Sequence, residues 1–132
     1  MKRAVKRKDK TKMTLGTGTR EDFLGRSRER AIKLDRGEAL MPEIRMTFED
    51  PADLLRVLSA QRVRVLKAVR IKATPISGLA LALKRDRTAV KRDVSILESF
   101  GLVRTRERLN PGHGRMKVVE PLAAIYHLTA RI

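Results

Sequence analysis

The chain has 132 residues, 42% of them apolar, with 31 Lys plus Arg against 15 Asp plus Glu and a formal net charge of +16. That length suits one small domain with an extension rather than a two-domain enzyme, and so large a positive excess strains a compact fold unless a polyanion such as nucleic acid offsets it. The absence of cysteine excludes disulfides, thiol catalysis and cysteine-ligated zinc. No apolar run approaches the roughly 20 residues of a membrane helix, so a cytoplasmic protein with no membrane partner is expected.

In chain order, Met1 to Lys12 reads as a disordered basic tail: seven Lys or Arg face one Asp and no apolar periodicity orders them. Such an arm either tracks phosphates without reading sequence or simply aids solubility. Thr14 to Thr19 reads as a Gly/Thr linker. Its TGTGT run lacks the preceding strand and the Gly-Lys-Ser/Thr ending of a nucleotide loop. Thr19 is placed to cap a helix over about Arg20 to Arg36, with Glu21 and Asp22 in its first turn and Gly37 beyond its end. Phe23, Leu24, Ala31 and Leu34 give it only a thin apolar stripe, so it must dock on the core or on a second subunit.

Glu43 to Phe48 alternates Ile44, Met46 and Phe48 against Arg45 and Thr47, as a short strand does, and Asp50 with Pro51 opens a helix holding Leu54, Leu55 and Leu58. Ser59 caps the next helix, about Ala60 to Ile71. A further helix should begin at Thr74 and Pro75, with Ile76, Leu79, Ala80 and Leu83 on one face. Gly78 inside it costs about 1 kcal/mol of helix propensity unless close packing requires it. Asp86 caps the following helix, whose buried stripe is Val90, Val94 and Leu97 and whose end is Gly101. The expected core is Val63, Leu66, Val69, Ile76, Leu79, Leu83, Val90, Val94, Leu97 and Leu102.

The opposite face of that last helix carries Arg87, Thr88, Lys91, Arg92 and Ser95 near its start, where a recognition helix meets base edges in the major groove. Arg pairs bidentately with guanine, Thr can meet a thymine methyl, and Lys91 or Arg92 reaches guanine or phosphate. An ordinary solvated face mixes both signs, whereas Lys84 to Arg92 holds five basic residues and one acid, Asp86, which is engaged as a cap. Lys84 and Arg85, in the preceding turn, are candidate backbone contacts.

Leu102 to Arg108 and Arg115 to Val119 read as two strands joined by the turn formers of Leu109 to Gly114. Arg104, Arg106 and Arg108 share one face by their period of two, and Arg115 and Lys117 share a face on the second strand. With His113 in the turn, these form a candidate clamp on phosphates or the minor groove. Ala123 to Ile132 is strand-like, and its expected partner is Glu43 to Phe48, within one chain or across a dimer.

The order of elements predicts a mainly α protein with a small β part, a winged helix-turn-helix with an N-terminal helix and strand extension. The expected segments are a tail and linker over residues 1–18, an extension used for dimerisation over 19–58, the winged domain over 59–120 and a C-terminal strand over 121–132. His113 and His127 are the only histidines, and no paired carboxylates or nucleophile stand at telling spacing, so neither an enzyme nor a metal or other cofactor is expected.

The run TFEDPADLLRVLSAQRVRVLKAV, the two helices after it and ESFGLV resemble a group of small prokaryotic winged-helix regulators, distantly similar to the multiple-antibiotic-resistance regulators. In these a helix ending in an RGE-like sequence, here Arg36, Gly37 and Glu38, and a short strand precede the DNA-binding core. The resemblance covers roughly Phe23 to the C-terminus. It implies a transcriptional regulator and, since relatives are often encoded beside a small toxin-like protein, an antitoxin or autorepressor with such a partner. The expectation from the residues is a homodimer that reads a palindromic site in double-stranded DNA and represses. A non-specific architectural DNA-binding protein and an RNA- or ribosome-associated basic protein are the alternatives.

Overall fold

The computed structural model describes residues 11–38, 43–112 and 114–132. The expected basic tail, apart from Thr11 and Lys12, and the turn residue His113 lie outside them. The elements run β1 (Lys12–Thr17), α1 (Arg20–Asp35), β2 (Glu43–Phe48), α2 (Pro51–Val57), α3 (Ala60–Ile71) and β3 (Thr74–Pro75). They continue with α4 (Ile76–Leu83), α5 (Arg87–Ser99), β4 (Val103–Asn110), β5 (Gly114–Pro121) and β6 (Ile125–Thr129). The fold mixes α and β and divides into two units: the chain up to Arg56 together with Ala124–Ile132, and Val57–Ala123. Among the described residues, no helix is long and apolar enough to cross a membrane.

The first unit is built on a three-stranded parallel sheet in the order β2-β1-β6. Two sequence expectations are corrected here. Lys12 to Thr17 is the central strand rather than tail and linker, and β6 pairs with β1, which lies between it and the β2 strand expected as its partner. Both alternations of β1 are buried, Met13 and Leu15 on one face and Thr14 and Gly16 on the other. A strand covered on both faces has no polar side to alternate, and Thr and Gly hide it further from sequence patterning. Gly16 is needed for packing: a Cβ there would lie 2.6 Å from Thr129 Cγ2 and 2.9 Å from the Thr129 carbonyl oxygen of β6.

Helix α1 is the crossover between the parallel strands β1 and β2. It starts at a complete capping box: the Asp22 amide donates to Thr19 Oγ1 (3.2 Å) and the Thr19 amide donates to Asp22 Oδ2 (2.8 Å). Gly37, at φ +73°, follows its C-terminal cap Arg36. No residue of α1 is buried.

In the second unit, α3 starts at Ser59, whose hydroxyl accepts from the Arg62 amide (3.4 Å). The start of α4 differs from expectation. Thr74 and Pro75 pair with Val119 and Val118 of β5, Pro75 is the cap residue without a side-chain bond, and the Thr74 hydroxyl donates back to the Lys72 carbonyl (2.7 Å). Thr74 also explains the glycine within α4, since a Cβ on Gly78 would sit 3.0 Å from its Cγ2. Asp86 caps α5, accepting from the Thr88 amide (3.1 Å), and the helix closes with the Gly101 and Leu102 amides donating to the Glu98 and Leu97 carbonyls (both 2.9 Å). That double bond is a Schellman ending, and Gly101 supplies its left-handed residue at φ +76°.

The core of this unit holds Leu66, Val69, Ile76, Leu79, Val90, Val94, Leu97 and Leu102 as expected, whereas Val63 and Leu83 are only half-buried. Val65, Val103, Val118 and Val119 join it. They come from α3 and from the sheet β3-β5-β4, whose antiparallel hairpin runs in register from Val103 opposite Pro121 to Asn110 opposite Gly114.

Candidate nucleic-acid interface

Helix α5 presents two chemically distinct faces. Val90, Val94 and Leu97 are buried at 0%, 2% and 0% exposure, while Arg87, Thr88, Lys91, Arg92 and Ser95 are all exposed. The first turn is anchored by Asp86, so Arg87 and Thr88 project from a capped helix end rather than a fraying one. Arg87, Thr88 and Lys91 line a groove of about 420 Å³ with Ser77 at the start of α4 and Arg115 and Lys117 of β5. The groove thus brings three of the expected base-reading residues against two of the expected hairpin contacts. Glu107 also lines it and pairs with Arg115 at 3.1 Å. Both partners are more than half exposed, so solvent screens that pair and it contributes little to stability.

The strand register divides the basic residues of the hairpin between two faces. Arg104, Arg106 and Arg108 lie opposite Glu120, Val118 and Met116, whereas Arg115 and Lys117 lie opposite Leu109 and Glu107. Laterally paired residues share a face, so the two basic sets point to opposite sides of the ribbon instead of forming one clamp. Arg104 and Arg106 also converge on the nearly buried Glu120, at 2.8 and 3.4 Å. Arg108 is exposed and has neither contact. Period two fixes which residues of one strand share a face, but the relation between two strands depends on register, which the turn sets.

In the turn before α5, Lys84 is exposed and adopts the left-handed conformation, φ 53° and ψ 47°, as the C-cap of α4. Arg85, expected as a phosphate contact, is half-buried and engaged within the protein. Its Nη1 reaches Asp93 Oδ2 at 2.5 Å while Arg62 Nε of α3 reaches Asp93 Oδ1 at 3.2 Å. The Asp93 side chain is 9% exposed and the two arginines 19% and 18%. A carboxylate shared by two guanidinium groups ties α3, the α4–α5 turn and α5 together, and so holds the start of α5 beside the hairpin. Asp93 was legible in principle: it lies one residue before Val94 on the buried stripe, where a carboxylate requires a cationic partner. Arg62 gives no such signal, because nothing in its neighbours distinguishes it from the exposed arginines of the same helix.

His127 lies on β6, opposite Thr14 of β1 and exposed. Among the described residues no group of three or more His, Asp or Glu is placed to hold a metal ion.

No curated protein matches the chain. A solved structure described as a possible transcriptional regulator from Methanosarcina mazei Go1 is similar, with 18% sequence identity and a TM-score of 0.46. The match covers 56% of this chain and 66% of that one, so the chain spans slightly under two thirds of that structure's length. The model of the HVO_A0114 family matches residues 57–125, more than half of the chain and the whole of the unit that carries the groove, and the chain therefore belongs to the HVO_A0114 family.

Proposed function

We propose that this protein is a regulator of transcription that binds double-stranded DNA through a winged helix-turn-helix, not an enzyme, and that it works in the cytoplasm. Helices α4 and α5 are the helix-turn-helix, α5 is the recognition helix, and the hairpin β4–β5 is the wing. The observation that carries the reading is the groove in which Arg87, Thr88 and Lys91 of α5 face Arg115 and Lys117. Arg87, Thr88, Lys91, Arg92 and Ser95 read bases; Lys84, Arg115, Lys117 and Arg108 meet phosphates, and Arg104 and Arg106 do so by exchanging Glu120 for DNA. The formal charge of +16 supports a polyanionic partner.

One short recognition helix makes few base contacts, so the reading includes a homodimer on a palindromic site, with repression by occlusion of a promoter as its mechanism. The exposed Phe23, Leu24 and Leu34 of α1 suit burial against a second copy. An antitoxin role, with a toxin-like partner, rests on the family resemblance of the sequence alone.

The test is selection of bound duplexes from a random pool at about 150 mM salt, with structured RNA competing. One enriched palindrome is expected. Tight binding without an enriched motif would instead identify an architectural protein, and preference for RNA would overturn the DNA reading. On the selected site Arg87→Ala is expected to cost about 1 to 3 kcal/mol, with little change on random DNA. Equal losses on both would exclude base readout by Arg87.

A further inference from the structure

The first unit carries a cleft that the DNA reading does not use. Its volume is about 580 Å³, within the range of small-molecule sites. It lies at the carboxyl ends of the three parallel strands: Thr17 and Gly18 follow β1, Glu49 follows β2, and Thr129 and Arg131 end β6. The chain leaves β1 towards β2 through α1, and β6 lies on the other side of β1. Open parallel sheets bind ligands in the crevice outside the carboxyl ends of their strands.

Arg26 of α1 lines this cleft, and its Nε and Nη2 are shielded from solvent with no hydrogen-bond partner. Shielded guanidinium donors left unpaired are costly, and native proteins rarely leave them so. The Arg131 backbone is pinned beside β1, its amide donating to Thr17 Oγ1 at 2.7 Å. The Asp22 carboxyl, held below the usual carboxylate range first by the Thr19 amide and then by its hydroxyl, also feels the charges of Arg131 and Arg26.

We propose that this cleft binds a small organic carboxylate that also carries an ammonium or hydroxyl group, with Arg26 gripping the carboxylate. The strand–loop–helix passage through Thr17, Gly18 and Thr19 looks like a phosphate cradle, but its amides are engaged. Gly18 donates to the Phe48 carbonyl (3.3 Å) and Thr19 to Asp22 Oδ2 (2.8 Å). The Gly18 and Thr19 amides are thus not free to hold an anion, and the arginine side chains supply the cationic partners. Asp22 and Glu49, both lining the cleft, repel a phosphate dianion and accept from an ammonium or hydroxyl donor instead. Once the side chain turns so that the shielded Nε and Nη2 of Arg26 open to the cleft, its planar guanidinium matches a carboxylate with two parallel bonds.

The experiment titrates the full chain with each standard L-amino acid, L-lactate and inorganic phosphate, following the melting temperature and the backbone amide resonances of residues 16–19 and 129–131. At least one amino acid or lactate should give a saturable shift at those amides and raise the melting temperature. Arg26→Leu should weaken that binding by about tenfold or more without lowering the melting temperature of the free protein, since it removes unpaired donors. Arg26→Lys, which keeps the charge and loses the fork, should weaken it as well, and it stands in if the leucine variant does not fold. The proposal is overturned if no probe shifts these amides, if phosphate binds more tightly than every carboxylate, or if binding survives both substitutions. The proposal does not rest on the DNA reading, and random-pool selection addresses that reading separately.

Discussion

Helices α1 and α5 both begin at a side-chain cap, yet they are held in opposite ways. Helix α5 buries Val90, Asp93, Val94 and Leu97, whereas α1 buries nothing, and its Phe23, Leu24, Ile32 and Leu34 remain 56%, 48%, 45% and 60% exposed. A cap satisfies the free amides of a first turn and so decides where a helix starts. Whether the helix is held in place depends on its apolar stripe, and most helical stability in proteins comes from that packing. The better-capped helix is therefore the less anchored one.

The largest effect is expected where α5 is tied in. Asp93→Ala leaves Arg62 and Arg85 facing each other without the carboxylate that both engage, and should destabilise the protein by about 3 kcal/mol or more in chemical denaturation. A loss below about 1 kcal/mol would mean that apolar packing alone holds α5.

On α1 the capping box should matter more than any apolar side chain. Thr19→Ala is expected to cost about 1 kcal/mol. The Asp22 carboxyl titrates lower in the folded state than in the unfolded one, so its stabilising share is complete above the ordinary carboxylate pKa. That share is lost as the pH falls through the lowered folded value, and Asp22→Asn should remove this part of the acid dependence. An unchanged acid profile in that variant would separate the box from the stability of α1.

The smallest effect is expected from Leu24→Ala, below about 0.5 kcal/mol for the monomer at high dilution, because the side chain is already half exposed. A cost that grows with protein concentration would sharpen the comparison, since it would show α1 packing against a second copy.

In the second unit the chain is locally consistent, and that is why so much of it was legible. The caps Ser59 and Asp86, the glycine ending at Gly101 and the stripe Val90, Val94 and Leu97 all emerge from residue spacing, because each depends on bonds within a few residues. The exposure of Arg87, Thr88, Lys91, Arg92 and Ser95 follows from the same helical period. The start of α4 was misplaced for an instructive reason: Thr74 and Pro75 carry a helix-start signal, but pairing with Val118 and Val119 of β5 draws them into the sheet.

What local chemistry could establish about this protein was its basic character, its helix boundaries from Ser59 onward except the start of α4, and the polar face of α5, since caps and periodicity act over one or two turns. Contacts far apart in sequence settled the rest. The parallel sheet makes a central strand of Lys12–Thr17, hairpin register sends Arg115 and Lys117 to the face opposite Arg104, and Asp93 draws Arg85 away from the surface. Each of these depends on a partner at least six positions away in the chain, and no pattern within a single helix or strand reports which partner that will be.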